Sequence, residues 1–208
     1  MQHLIEDDFQ HFILHKPFGY LTQFVYNGKG KAKLLGELHD FPDGTMAIGR
    51  LDKNSEGLLL LTTNGKVSYL ICSRKVDKEY FVQLDGIIDD EAIQDLETGV
   101  EISIEGEKYK TLPCKVKRLV TAPAFPERNP KVRDDRHGPT SWASITITEG
   151  KYKQVRKMTA VVGFPTLRLV RNRIGNIHLG DLVAGQVKAV DFFDIPTLLE
   201  REKDKTIP

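Results

Sequence analysis

The sequence of 208 residues is 40% hydrophobic and 28% charged, which is ordinary for a globular protein with one large domain or two small lobes. No apolar stretch approaches the roughly 20 residues that a membrane-spanning helix needs, and the acidic first residues are unlike a signal peptide. These features argue against a membrane partner and predict a cytoplasmic protein.

The formal net charge is only +1, but the charges are unevenly distributed along the chain. Residues 150–180 contain seven lysines and arginines and no Asp or Glu, whereas acidic residues collect at 6–8, 85–97 and 191–204. Phosphate binding requires a local positive surface rather than a basic protein. A basic segment of this kind favours a polyanionic partner such as RNA.

The residue types that bind metals are scattered. Cys72 and Cys114 lie in unrelated contexts without metal-ligand spacing, so both are expected to be reduced structural thiols. The histidines also show no ligand spacing, and the chain has no glycine-rich phosphate loop. No metal and no cofactor are therefore predicted.

Hydrophobic periodicity predicts many strands and few helices, without βαβ repeats. The predicted strands cover residues 11–15, 58–61, 78–84, 100–104, 114–120, 142–148 and 163–175. The predicted helices cover residues 34–38, a segment capped by Asn64, residues 89–96 and a segment that follows the turn at 149–150. Residues 122–139 are rich in proline and charge, which excludes regular structure and indicates either function or disorder.

The loop before the strand at 58–61 concentrates ionisable side chains. Arg50, Asp52, Lys53 and Glu56 come directly before four consecutive leucines that must be interior. Functional residues are often mounted in this way on loops that a rigid strand positions. Asp52 either pairs with a neighbouring cation or caps a turn, or it serves as an oriented nucleophile or base; Arg50, two residues earlier, would keep it ionised in both cases.

Four motifs in order resemble pseudouridine synthases of the RsuA/RluA kind. Gly-Arg-Leu-Asp at 49–52 is followed by Ser-Glu-Gly-Leu-Leu at 55–59 and Thr-Thr-Asn-Gly at 62–65. Lys-Pro-x-Gly occurs at 16–19, Lys-x-Tyr at 78–80 and Glu-Gly-x-x-x-Gln-Val-Arg-x-Met at 149–158. The resemblance covers roughly residues 12–190.

This resemblance implies roles for individual residues. Asp52 corresponds to the catalytic nucleophile, with Arg50 beside it in the same motif. Tyr80 corresponds to the tyrosine that stacks on the target base, and Arg156 to the arginine that pairs with the aspartate. Lys16 belongs to the first motif and is expected, together with Lys157, Arg168 and Arg171, to contact the substrate; the arginines of residues 163–175 are spaced so that they present a row of phosphate-binding groups.

The family resemblance also implies the fold and the domain organisation. The expected fold is α+β, with a mixed, antiparallel-rich central sheet, flanking helices and a central active-site cleft between two lobes. Residues 1–208 are expected to form a single catalytic domain without an N-terminal S4 domain, with tails at 1–9 and 196–208. The lack of an S4 domain, residues 21–24 and residues 128–130 resemble the E-type large-subunit enzymes of the family.

The implied activity is isomerisation of a uridine in 23S ribosomal RNA by a monomer, on free RNA or on an assembling large-subunit particle. The target nucleotide would be flipped out of its helix, and Asp52 would attack at C1′ or at the base. One alternative is a non-catalytic RNA-binding factor for ribosome assembly. The other is a carboxylate-dependent hydrolase of nucleosides or sugars, which requires a second carboxylate where only Glu56 is near in sequence.

Overall fold

The computed structural model of the chain describes residues 9–73, 76–133 and 135–195. The tails predicted at 1–9 and 196–208 lie outside these residues, apart from Phe9. The chain forms two compact units: unit 1 consists of Met1–Arg74 and Gly175–Pro208, and unit 2 of Lys75–Ile174.

The first part of unit 1 contains β1 (His11–Lys16), β2 (Met46–Ile48), β3 (Glu56–Thr62) and α1 (Gly65–Ser73). Unit 2 follows with β4 (Lys78–Asp85), α2 (Asp90–Thr98), β5 (Glu101–Ile104), β6 (Glu107–Lys110), β7 (Lys115–Leu119), β8 (Thr140–Ile147), α3 (Gln154–Val161) and β9 (Thr166–Ile174). The chain then returns to unit 1 with β10 (Ile177–His178) and β11 (Val187–Val190). Two single 3₁₀ turns, Leu35–Glu37 and Asp135–His137, complete the described structure.

Unit 1 is organised around β3. Strand β1 pairs with β3 on one side and with β11 on the other, and β2 also pairs with β3, all in antiparallel orientation. All seven residues of β3 are buried, as the run of four leucines predicts for a strand covered on both faces. Each fully buried leucine side chain contributes about 1.5–3 kcal/mol of stabilisation, which makes β3 a rigid base for the loop before it.

The register of β1 against β3 is set by side chains on one face. Phe12 lies opposite Leu61 and Leu14 opposite Leu59, and these four residues form a core cluster with Leu35. A shift by one residue would move both β1 side chains to the other face of the sheet, so the hydrophobic pattern fixes the pairing. The position of the motif at the end of β1 relative to β3 is therefore fixed as well.

The four long strands of unit 2 form an antiparallel sheet in the order β9-β4-β8-β7, and β5 and β6 form a separate hairpin. Helix α2 starts at Asp89, whose carboxylate accepts a hydrogen bond from the Ala92 amide at 2.8 Å, and ends at Gly99, as the sequence predicts. Strand β4 alternates, with Tyr80, Val82 and Leu84 on its buried face.

The proline-rich segment 122–139 contains no strand or α-helix in its described residues, yet it has defined contacts. The Phe125 ring lies 6.1 Å from both the Phe81 and the Trp142 ring centroids, and Arg133 forms an ion pair with Asp85. These contacts attach the segment to β4 and β8. These contacts argue against the alternative of disorder for the described part of the segment, and the alternative of a function stays a prediction.

The predicted α+β class is confirmed, and the strand pairs named above are all antiparallel. The sequence did not predict strands β2, β6, β10 and β11. None of the helices in the described residues has the length and apolar character needed to cross a membrane.

Candidate active site

Asp52 lies in the loop that leads into β3. Its side chain is half-buried, Arg50 is exposed and Leu51 between them is buried. The carbonyl oxygen of Asp52 accepts a hydrogen bond from the Ser55 amide at 2.9 Å, which closes a tight turn. The turn leaves the carboxylate partly accessible to solvent, on a backbone that the buried strand supports.

Residues 19–22 form hydrogen bonds to the backbone of the loop that contains Asp52. The Thr22 hydroxyl donates to the Leu51 carbonyl oxygen at 2.6 Å and accepts from the Leu51 amide at 3.1 Å. The Gly19 amide donates to the Lys53 carbonyl oxygen at 2.8 Å. The backbone is therefore bonded on both sides of Asp52, and the Thr22 side chain is itself buried. These bonds restrict the conformations open to the backbone at Asp52 and therefore hold its carboxylate in place.

Lys16 is fully buried, whereas lysines are ordinarily exposed. Its ammonium group donates to the carbonyl oxygens of Pro17 at 3.0 Å and Tyr20 at 2.8 Å. Lys16 therefore ties the end of β1 to the segment that carries Gly19 and Thr22. Its predicted contact with substrate stays a prediction, because these two hydrogen bonds are made to the protein backbone.

Tyr80 lies in unit 2, near the start of β4. It is opposite Ile145 of β8 and Arg171 of β9, and its side chain is 8% exposed. Across a sheet, side chains of directly opposite residues lie next to each other on the same face. The structure thus brings Tyr80 and Arg171, two residues predicted independently, to one place on the sheet of unit 2.

Arg156 projects from the first turns of α3, as the sequence predicts. It is half-buried, and its Nη1 donates to the Thr166 carbonyl oxygen at 3.3 Å, at the start of β9. Asp52 belongs to unit 1, and Arg156 to unit 2. The ion pair between them stays a prediction.

The start of α3 is held by a polar network that the sequence analysis missed. The Glu149 carboxylate accepts hydrogen bonds from the Leu112 amide at 2.9 Å, from the Tyr109 hydroxyl and from the Gln154 side chain. The Gln154 side-chain oxygen in turn accepts from the Lys151 amide at 2.9 Å. The hydrogen bond to Glu149 raises the pKa of Tyr109, so the phenol stays protonated and keeps donating. Both Glu149 and Gln154 belong to the motif at 149–158, but the sequence did not show that their side chains contact each other.

The three remaining residues of the predicted substrate contact differ in exposure. Lys157 is half-buried and donates to the Ser103 carbonyl oxygen at 2.6 Å. Arg168 and Arg171 are 7% and 3% exposed, and Arg168 donates to the Pro126 carbonyl oxygen at 3.0 Å. Strand β9 therefore does not present these two arginines as an exposed row. Their contact with substrate stays a prediction.

Arg173 of the same strand belongs to a different polar cluster. It forms an ion pair with Asp77 at 2.8 Å and lies 3.6 Å from the Glu79 carboxylate, which also accepts from Ser144 and Asn172. The hydrogen bond that Arg173 donates to Asp77 raises the pKa of Arg173 still further. Arg173 is thus satisfied by carboxylates within unit 2, as a partly buried guanidinium requires.

The described residues contain no group of three or more His, Cys, Asp or Glu that could hold a metal ion. Both cysteines are free thiols, as predicted; Cys72 is exposed and Cys114 is half-buried. Burial, with the nearby carboxylates of Glu97 and Glu149, raises the pKa of the Cys114 thiol to about 12. A thiol with this pKa is protonated at neutral pH and is not a nucleophile.

The fold and the Asp52 loop define a class of protein. The sequence matches the model of the RNA pseudouridylate synthase family over residues 10–161, and the chain belongs to this family. It is 44% identical to ribosomal large subunit pseudouridine synthase E of Vibrio parahaemolyticus over 86% of this chain and 72% of that protein. It is 41% identical to the protein of the same name from Xanthomonas campestris pv. campestris, over 86% of this chain and 94% of the relative. A solved structure titled as a pseudouridylate synthase superposes with a TM-score of 0.69 at 26% identity, over 96% of this chain and 74% of that one.

Proposed function

We propose that the protein isomerises a uridine of 23S ribosomal RNA to pseudouridine, with Asp52 as the nucleophile. The observation that carries the proposal is the similarity to ribosomal large subunit pseudouridine synthases E, which extends over 86% of the chain and includes the loop of Asp52. The expected setting is the cytoplasm, and the expected form is a monomer. The substrate is free 23S RNA or an assembling large-subunit particle.

The chemistry is an exchange of one bond for another within a single nucleotide. Attack by the Asp52 carboxylate, at C1′ or at the base, accompanies cleavage of the N1–C1′ bond. The uracil then turns and a bond forms between C5 and C1′, while the bond to Asp52 breaks and returns the free carboxylate. The C5 proton leaves to solvent and N1 takes up a proton. Atoms and electrons balance without an oxidant, a reductant or a nucleotide triphosphate.

The proposed roles of the other residues follow from their places in the two units. Tyr80, on the buried face of β4, stacks on the flipped uracil, because an aromatic ring holds any base by its π-face. Arg156 at the start of α3 keeps its positive charge when buried and pairs with the Asp52 carboxylate. Arg50, which precedes Asp52 in the same motif, is a further catalytic residue of this loop.

Release of tritium from 5-³H-uridine-labelled RNA tests the proposal directly, because the C5 hydrogen is lost only when C5 bonds to C1′. Unmodified 23S and 16S transcripts are tested separately as substrates of the same protein preparation. Release from 23S alone supports the proposal, and release from 16S alone refutes the 23S assignment. Tight binding of 23S without release from either RNA would instead favour the non-catalytic assembly factor.

Thr22→Val is expected to lower kcat by about tenfold with little change in KM, because a loosened loop misplaces Asp52. The change preserves the shape of the side chain but leaves the Leu51 amide and carbonyl without the hydroxyl that bonds both. Thr22→Ser keeps the hydroxyl and is expected to retain kcat. A purely structural role would give a lower melting temperature in both variants and no difference in kcat between them.

A further inference from the structure

Tyr152 is a large aromatic side chain that the fold leaves in solvent. It is 59% exposed and lies in the short loop between Glu149 and the first residue of α3, Gln154. Exposure of a single aromatic residue is common and means little on its own. Its surroundings distinguish Tyr152 from other exposed residues.

The ammonium groups of three lysines lie close to two tyrosine rings in and next to this loop. The ammonium groups of Lys153 and Lys157 lie 5.0 and 5.3 Å from the Tyr152 ring centroid, and that of Lys151 lies 4.8 Å from the Tyr109 ring centroid. Cation–π contacts at exposed sites are weak. A base is therefore able to take the place of an ammonium group over the ring while that group moves to a neighbouring phosphate.

The backbone of the loop is held in an uncommon conformation. Lys153 has φ of 51°, in the left-handed region that residues with a side chain rarely adopt. The Lys151 amide bonds to the Gln154 side chain at 2.9 Å, and the Lys157 amide bonds to the Lys153 carbonyl oxygen at 3.0 Å. Strain of this kind persists only where the surroundings enforce it, and it is frequent at ligand sites. The loop is therefore a fixed support for Tyr152.

The segment that contains the loop is basic, as the binding of a polyanion requires. No Asp or Glu occurs between residues 150 and 180, and the Glu149 carboxylate is occupied by Tyr109, Leu112 and Gln154. Proteins that bind single-stranded nucleic acid combine aromatic rings, which stack on the bases, with nearby cations, which bind the phosphate backbone. The same loop leads into the helix that carries Arg156.

We propose that Tyr152 stacks on an unpaired base of the RNA substrate, while Lys151, Lys153 and Lys157 bind the phosphates next to that base. We call these four residues the Tyr152 platform. The proposal rests on the proposed function for the identity of the RNA, and it concerns a base other than the target uridine, which is assigned to Tyr80. Stacking requires no particular base, so the platform contributes affinity rather than sequence specificity.

The test compares Tyr152→Ala with Tyr152→Phe, which keeps the ring, and with Tyr69→Ala, which removes a 70% exposed tyrosine of unit 1. Filter binding of an unmodified 23S transcript is measured for each, together with KM and kcat from tritium release. Tyr152→Ala is expected to weaken binding and raise KM by about tenfold with kcat unchanged. Tyr152→Phe and Tyr69→Ala are expected to remain within about twofold of wild type, by the same reasoning.

Photo-crosslinking to a 5-iodouridine-substituted 23S transcript provides a readout that does not depend on activity. The expected result is a crosslinked peptide that contains Tyr152. Wild-type affinity in Tyr152→Ala, or an equal loss in Tyr69→Ala, overturns the proposal, as does capture of a protein partner by this loop without any effect on RNA binding. Failure of the proposed function is seen separately, as absence of tritium release by the wild-type protein.

Discussion

Asp52→Asn is expected to reduce tritium release from 5-³H-uridine-labelled 23S RNA by at least about 10³-fold, the usual order for loss of a covalent nucleophile. An amide oxygen has nearly the shape of a carboxylate oxygen but is a very poor nucleophile. The turn itself does not depend on the carboxylate, because it is closed by the backbone bond from Ser55 and held by Thr22 through Leu51. Binding of RNA is therefore expected to stay near the wild-type value.

The matched control for this experiment is Asp43→Asn, which makes the same chemical change at an exposed aspartate of unit 1. It is expected to leave both release and binding unchanged. Wild-type release by Asp52→Asn would show that another group is the nucleophile. Loss of release together with loss of RNA binding would point to a role in binding instead of chemistry.

Gly99→Ala is expected to lower the free energy of unfolding by about 3 kcal/mol, which makes it the largest stability effect that we expect from a single methyl group. Gly99 ends α2 with φ of +91°, and an added Cβ would lie 2.3 Å from the Thr111 carbonyl oxygen. That oxygen belongs to a backbone that cannot move freely, because Thr111 exchanges hydrogen bonds of 2.9 Å with Val100 through both its amide and its hydroxyl. The substitution must therefore separate α2 from the end of β6.

Gly163→Ala separates the two causes of this loss. Gly163 has the same φ of +91°, but nothing lies within 4 Å of the position of an added Cβ. Only the conformational strain remains there, at about 1 kcal/mol. Urea unfolding of both variants gives the comparison. Equal losses in the two variants would show that the contact with Thr111 relaxes without cost and that the argument from close approach is wrong.

The parts of the fold that the sequence predicted are those with strong local signals. The four leucines before Asn64-Gly65 specify a buried strand followed by a helix start, and the Asn64 side chain does accept from the amides of Lys66 and Val67 at 3.0 and 3.2 Å. Strand β6 was missed because Glu107–Lys110 is polar and nearly all exposed. It exists through its pairing with β5, and Tyr109, the only one of its four residues that is not exposed, is too little to form a hydrophobic alternation.

The candidate site shows the same division between local and long-range information. Asp52 and Arg156 were predicted from motifs that are contiguous in sequence. The burial of Lys16 and the two hydrogen bonds between Thr22 and Leu51 were not predicted. These hydrogen bonds join residues 29 positions apart, and a single threonine forms no recognisable sequence pattern. Residue type alone suggests an exposed lysine and a solvated hydroxyl. The contacts of these side chains depend on the tertiary fold, including the register of β1 against β3.

The discontinuity of unit 1 has a consequence for biosynthesis. On the ribosome, β1 and β3 emerge early, but β11, which pairs with β1, is made only after all of unit 2. At ordinary synthesis rates this interval lasts about 10–30 s. Throughout it, one edge of β1 presents unpaired amide and carbonyl groups, the usual starting point for association between nascent chains. The half of the protein that bears Asp52 is thus completed last, and its yield depends on how well that edge is shielded until translation reaches Val187–Val190.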